Sequence, residues 1–535
     1  MQYKKNSHRL EDNIQNNYLK TLNQNMGIFD SKKKTQQDSN TTKGFYFGAP
    51  EAEAENVNEH NLTDYFEDYL EIMENLEVGK FIFVGRKGVG KSAITKFIKD
   101  TSEKSNNSLA TILRLSDFEV EKTIQSNNED INKDILLFEW LILVNIVKLV
   151  VKNKRGEYTV EFTKLQKFLD NNSGIVHIDK FQIDEGFKKS GGEINFGVLT
   201  HSFGGVFKKY FDVKVTKAPF YKLIPPLKEI VKIILDYPVN KKTEFWLLFD
   251  DLDINFNIYS ESDKRKVMEL IRLAKLYNNE VFINNKAKIL IFLRDDIRDK
   301  LISEYTDSAK IFNSYEILIN WYNHFESTQD ENRIALKKMV NKRIELNYKN
   351  KNIHYSKEDP WFSLFTDDNY NPNGYPKKSS FKYIIDFTYY RPRDIITILN
   401  ITSELGVSYP ISQNNIKLIL QKYIARNINE IKSELNLFFN EDDKEKLFVT
   451  LFKYMSDYPA KSYNQVLTKI NGLNFKLKSE TIIEILISYS FFVPSNSNGD
   501  LYFNYRENIE LDKMKKEELL INLHKNIYHF YKQIN

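Results

Sequence analysis

The sequence predicts an α/β fold, a parallel sheet with helices on both faces, followed by an α-helical lid subdomain and a winged-helix domain. Three observations carry the first part. Apolar runs at Phe81–Val84, Phe245–Phe249 and Lys288–Leu293 have strand character. Each ends abruptly in residues that can do chemistry: Gly85 to Ser92, Asp250 to Asp253, and Arg294 to Asp296. Amphipathic helical runs, such as Glu261–Leu276, separate them. Strand–helix alternation favours parallel pairing, which gathers functional groups at the carboxyl ends of the strands.

The first run continues as FIFVGRKGVGKS, residues 81–92. Gly85, Gly90, Lys91 and Ser92 fit the spacing G-x-x-x-x-G-K-[ST], with a strand before it and a helix after it. Glycines let the backbone turn tightly, so that successive N–H groups point at a polyphosphate. The helix from Ala93 to Lys99 presents its positive dipole end to the same anion. Gly85, Arg86, Lys87, Gly88, Val89, Gly90, Lys91, Ser92 and Ala93 are therefore the candidate phosphate cradle. Lys91 would reach the β/γ-phosphates and Ser92 would hold Mg²⁺ through its hydroxyl.

The second run ends as FDDLD, residues 249–253. Nucleotide hydrolysis needs one carboxylate on the Mg²⁺ shell and another to orient or deprotonate the attacking water. Asp250 is assigned to Mg²⁺ and Asp251 to the water, with Asp253 competing for the second role. A short Asp at the water position favours slow hydrolysis. The third run ends at Arg294. An arginine there can reach a γ-phosphate and neutralise charge in phosphoryl transfer. It can equally be an arginine paired with Asp295 or Asp296 at the sheet's rim.

The rest of the chain is less specific. Residues 1–43 form a polar tail with one amphipathic piece near Ile14–Leu22. In GFYFGAPEAE, residues 44–53, the rings of Phe45, Tyr46 and Phe47 either lie against an adenine or pack on the domain. The P-loop domain is expected over 44–327. Leu109–Leu115 reads as its second strand, ending at Ser116 and Asp117, and a buried helix comes next at Ile131–Val151. Residues 157–220 read as a β-rich or irregular insertion, with Lys208, Lys209, Lys214 and Lys217 on a solvated face or an anionic partner. The helical lid is expected over 328–435. In YRPRDI, Pro392 suits a first helical turn, and Arg391 and Arg393 beside it are candidates for a nucleotide-sensing lid or for plain capping. The winged-helix region is expected over 436–535, with strands near Phe491–Val493 and Leu501–Tyr505 joined by the turn Pro494–Asp500. Its helix Ser479–Ser488 is acidic and apolar, which argues for protein packing; Lys469 and Lys476 keep DNA open.

Composition excludes several classes. At 41% hydrophobic and 14% aromatic the chain has ample material for cores. A net charge of only +4 gives no bulk argument for nucleic acid. The absence of cysteine removes disulfides, thiolate zinc sites and cysteine nucleophiles. The eight histidines show no zinc spacing. No secretory signal is visible, and the greasiest run, Ile135–Val151, carries charge, so a cytoplasmic protein without membrane contact is expected.

GRKGVGKSA, FDDLD, FLRDDI and YRPRDI, in this order, resemble the STAND/AAA+ side of the P-loop ATPases. The closest likeness is to a bacterial P-loop ATPase family with a C-terminal winged-helix region, with a KAP-like core but no membrane insertion. FGAPEAE, Trp321, NYRENIEL and LHKNIY share that likeness. The resemblance implies ATP and Mg²⁺ as cofactors, Arg294 as a first sensor and Arg391 or Arg393 as a second. It implies an ATP-dependent switch that forms a homo-oligomer or controls a protein effector, and some relatives act in antiviral defence. The alternatives are a DNA-acting ATPase resembling initiator loaders, and a small-molecule kinase. The latter would leave the last third of the chain without a substrate site. No guanine-reading N/T-K-x-D motif sits at a strand end, which favours ATP over GTP.

Overall fold

The computed structural model describes residues 40–55, 61–105, 107–114, 133–153, 159–172, 193–253, 256–282, 286–322, 330–366, 378–457, 460–507 and 515–534. The polar tail up to residue 39, with its Ile14–Leu22 piece, lies outside them, as do Ser116, Asp117 and residues 173–192 of the insertion. The chain divides into two units. A sheet unit takes residues 62–319 with 51–53, and a helical unit takes 40–50, 54–61 and 320–535.

The strands of the sheet unit are β1 (Ile82–Val84), β2 (Ser108–Arg114), β3 (Glu193–Asn195), β4 (Lys217–Pro219), β5 (Glu244–Asp250), β6 (Ala287–Leu293) and β7 (Glu316–Leu318). Five of them form one sheet in the order β2-β5-β6-β1-β7, every neighbouring pair parallel. Its central strands are unbroken apolar runs because both faces are covered. Phe245, Leu247, Leu248 and Phe249 of β5 have no exposed surface, nor do Ile289, Leu290 and Ile291 of β6. Each such side chain contributes roughly 1.5–3 kcal/mol by leaving water. Phe83 of β1 stacks on Phe292 of β6 with ring centroids 4.7 Å apart.

The longer helices of this unit are α1 (Lys91–Lys104), α2 (Lys133–Lys152), α3 (Val160–Asn171), α4 (Gly197–Phe207), α5 (Phe220–Leu235), α6 (Glu261–Leu276) and α7 (Asp295–Glu304), of which α1, α2 and α6 pack on the sheet. The run read as a buried helix is α2, and it packs on β5, β2, α5 and α6. No helix among the described residues is long and apolar enough to cross a membrane.

The insertion differs from its reading as β-rich or irregular. Among the described residues it consists mainly of α3 and α4, with β3 and β4 as one antiparallel pair. The helical signal lies in Phe162, Leu165, Phe168 and Leu169, spaced for one helix face and all buried. Seven glycines and the many lysines obscure it downstream, before residue 220.

In the helical unit, α8 (Ala335–Asn350), α9 (Pro392–Leu405) and α10 (Gln413–Glu434) pack together. The segment 44–50, read as part of the sheet domain, belongs to this unit. Its backbone is satisfied by helix side chains. Asn347 bonds both the N–H (2.7 Å) and the C=O (2.6 Å) of Tyr46. Arg343 donates to the Phe47 carbonyl at 2.6 Å, Asn400 to Gly48 at 2.9 Å, and Ser403 to Phe45 at 2.7 Å. Phe45 packs against Tyr348 and Tyr409, each at 5.6 Å. The Phe45 and Phe47 rings are thus core residues of the helical unit.

Residues 441–456 are helical and are followed by β8 (Lys461–Ser462), α11 (Tyr463–Asn471), α12 (Ser479–Ser488), β9 (Phe492–Ser495), β10 (Leu520–Leu523) and α13 (Lys525–Ile534). The antiparallel order is β8-β10-β9. The strand read at Leu501–Tyr505 therefore shifts to β10; Leu501 makes a single bridge to Ser495, and 504–507 is helical. The rings of Phe503 and Tyr505 instead pack over the Arg506 guanidinium.

Arg391 is built into the helical unit. Its guanidinium donates to both oxygens of Asp394, at 3.0 Å each, and to Glu434, and all three residues are almost fully buried. Removing one member of a buried ion cluster leaves uncompensated charge. Arg391→Ala is expected to lower stability by about 3–5 kcal/mol in urea unfolding, whereas Arg393→Ala is expected to be nearly silent.

Candidate functional site

Parallel pairing brings the three sequence landmarks to one edge of the sheet. β6 lies between β1 and β5, so Arg294 leaves the sheet between the glycine-rich loop and the acidic turn.

The loop needs its glycines. A Cβ on Gly85 would lie 2.7 Å from Val89 Cγ2 and 3.0 Å from Ile319 Cβ. Gly90, which caps α1, has φ 100°, a region that side chains disfavour. Lys91 folds back over the loop. Its ammonium donates to the carbonyls of Gly85 at 2.9 Å and Arg86 at 3.1 Å. Desolvation pulls its pKa below the ordinary lysine range, against the pull of Asp253, Asp295 and Asp250.

Asp250 ends β5 and is 1% exposed. Burial pushes its carboxyl above the usual aspartate range, opposed by the Asp251 N–H, Lys91, Ser92 and Thr95. Thr95 Oγ1 donates to Asp250 Oδ2 at 3.1 Å, and the Ser92 side chain is close enough to help lower the pKa of the same carboxyl. The donor set fits Mg²⁺, a hard cation that takes one or two carboxylates, a hydroxyl and phosphate oxygens. No cluster of three or more His, Asp or Glu side chains placed to hold a metal ion exists among the described residues.

Asp251 has a left-handed backbone (φ 55°) and is ion-paired with Arg114 Nε at 3.0 Å. Arg114 is the last residue of β2, in register with Asp250. Arg294 donates to Asp296 at 3.1 and 2.5 Å and to Asp253 at 3.2 Å. Asp296 and Asp253 both hold its guanidinium, and the carboxyl of Asp295 is raised by burial and by Asp296, against the pull of Arg86, Lys91 and Arg294. Both candidates for the water-directing role, Asp251 and Asp253, are engaged by arginines. Thr95 and Arg114 went unassigned in the sequence. The signal for Arg114 was its place at the exit of the LATILR strand, level with the acids.

Arg393 lies in the helical unit, with Glu430 at 3.3 Å and the Pro50 carbonyl at 3.4 Å.

Residues 334–432 match the profile of a family described as a FunZ-associated C-terminal helical domain. That stretch runs from the start of α8 through most of α10. No curated protein matches the chain. Among solved structures, the ORC2 protein of Aeropyrum pernix in its ADPNP–ADP complexes aligns over 93% of this chain and 98% of its own, at 10% identity and TM-score 0.39. The Cdc6p structure from Pyrobaculum aerophilum aligns over 89% and 98%, at 10% identity and TM-score 0.26. A likeness at these scores assigns no function to the chain.

The raised Asp250 pKa has a signed consequence. Its ionised form is disfavoured by folding, so the cost is absent below the ordinary aspartate pKa and full above the folded one. Stability from this group falls as pH rises through that window. Asp250→Asn is therefore expected to raise Tm at neutral pH without nucleotide, and to erase that gain at low pH, in thermal unfolding by circular dichroism. A lower Tm at neutral pH would refute this.

Proposed function

We propose that the chain is an ATP-binding, slowly ATP-hydrolysing switch of the STAND/AAA+ kind. The observation that supports it most is the juxtaposition of Lys91, Ser92 and buried Asp250, with Arg294 one strand away. The loop's N–H groups and Lys91 bind the polyphosphate. Ser92 and Asp250 hold Mg²⁺, which supplies charge neutralisation on the phosphates. Asp251 or Asp253 orients the attacking water. Each must then loosen its arginine pair, which is consistent with slow turnover.

Arg294 is the first sensor in this reading. It is held by two carboxylates, and a γ-phosphate would compete with them for its guanidinium. Arg393 is the second-sensor candidate, because Arg391 is spent on Asp394 and Glu434. The output is self-assembly or control of a protein effector, with antiviral defence as its setting by family likeness.

A second reading, a DNA-acting ATPase, draws on the C-terminal region. The apolar face of α12, with Ile482, Ile483, Leu486 and Ile487, is buried and its exposed residues include Glu480 and Glu484, so a reading helix would have to be α11. Beside it lies a groove of about 470 Å³ lined by Tyr454, Asn464, Gln465, Thr468 and Lys469. Asn, Gln and Lys are side chains that read base edges.

Calorimetric titration with ATP·Mg separates the roles. Lys91→Ala is expected to weaken binding by about a hundredfold or more. Arg294→Ala is expected to bind within about tenfold of wild type yet hydrolyse about 10²–10³ times more slowly. Unchanged ATP affinity in Lys91→Ala would remove the reading. DNA-stimulated turnover with steep salt dependence would move it to the second.

A further inference from the structure

Outside the nucleotide site, the helical unit carries an unbalanced cluster of cations. Asp386 follows the short helix Ser380–Ile385. Lys378 Nζ lies 2.7 Å from its Oδ2, Lys525 Nζ 3.8 Å from the same oxygen, and Arg506 Nη2 3.7 Å from Oδ1. Asp386 is the only ionic partner of all three among the described residues. Two positive charges are thus left over. His529, one turn along α13, adds none at neutral pH, since burial and Lys525 push it down to about 4.

The rings around these cations do not balance them. Arg506 is faced by Phe503 at 4.4 Å and by Tyr322, Tyr390 and Tyr505 at 5.4 to 5.6 Å. Lys525 lies over Phe387 at 4.2 Å and Tyr383 at 4.7 Å. A π-face attracts a cation but carries no net charge and accepts only weakly. The Arg506 Nε is buried and has no hydrogen-bond partner among the described residues. An orphaned, desolvated guanidinium donor is costly to leave unpaired.

We propose that Arg506, Lys525 and Lys378 form an oxyanion site for a phosphate group. A phosphate carries about the charge left over here, between −1 and −2 depending on esterification, and offers several acceptor oxygens at once. Lys525 opens α13, so the positive end of a ten-residue helix adds to the same field. Asp386 positions the three cations and competes with the ligand for them. The phosphate comes either from a small anion or from a nucleic-acid backbone, and the two share this chemistry.

The test uses the full chain carrying Lys91→Ala, which weakens phosphate binding by the glycine-rich loop. Failure here therefore leaves the proposed ATP site untouched. Inorganic phosphate is titrated by phosphorus NMR, and a short labelled oligonucleotide by fluorescence anisotropy. Phosphate is expected to bind, about tenfold more weakly after Lys378→Gln or Arg506→Gln. Asp386→Asn is expected to tighten it, an effect of opposite sign that loss of structure would not give. Lys378 is half-exposed, so its variant stands even if Arg506→Gln fails to fold. Oligonucleotide binding that weakens with the same variants identifies a backbone phosphate; phosphate binding alone identifies a small anion. No phosphate binding in the Lys91→Ala chain, or binding indifferent to Lys378→Gln and Asp386→Asn, would overturn the proposal.

Discussion

Parallel β pairing sends β1, β5 and β6 out through the same edge of the sheet, and the site depends on that constraint. With β6 seated between the other two, Arg294 leaves the sheet between the glycine-rich loop and the acidic turn. Both faces of these strands are covered, so their central residues are apolar and the chemically active side chains gather at their carboxyl ends. Asp250 stands at that boundary. It is a carboxylate that the fold keeps almost out of water, beside a lysine that it also desolvates. Such a pair is poorly solvated by the protein alone. It is well matched to a ligand that brings a metal to one member and phosphate oxygens to the other.

The arginines divide by how they are held. Arg391 is buried among carboxylates that it shares with α9 and α10, and breaking that cluster would leave buried charge unpaired. Arg294 and Arg114 hold the acids of the site, Asp253 with Asp296 and Asp251 respectively. Those acids are the groups that hydrolysis would have to redirect. Arg506 is held by rings and by one long ionic contact. The first kind builds structure, the second restrains chemistry, and the third is the kind that an external anion can satisfy.

The α/β core was legible because its cues are local. A strand that ends in Gly-x-x-x-x-Gly-Lys-Ser carries strand, turn and helix cues within twelve residues, and FWLLFDD and KILIFLR carry two cues each. Pro392 at the first turn of α9 was legible for the same reason. What escaped depends on distant pairing. Nothing near Phe45 shows that Asn347 and Arg343 will satisfy its neighbours' backbone three hundred residues later. The strand β10 could not be told from Leu501–Tyr505 without knowing that the latter's rings are drawn to Arg506. The insertion's helices were hidden by glycine and lysine composition, although Phe162, Leu165 and Phe168 kept the helical period. Arg391 and Arg393 look equivalent in sequence, and only Glu434, at the far end of α10, tells them apart.

The central claim is that nucleotide state changes what the chain assembles with. Size-exclusion chromatography with light scattering on the full chain, without nucleotide, with ADP·Mg and with a non-hydrolysable ATP analogue and Mg²⁺, addresses it most directly. The expected result is a particle mass, or a hydrodynamic size at constant mass, that differs between the ATP-analogue and ADP forms and loses that difference in Lys91→Ala. Identical elution and mass in all three states, with the analogue shown to be bound, would contradict it.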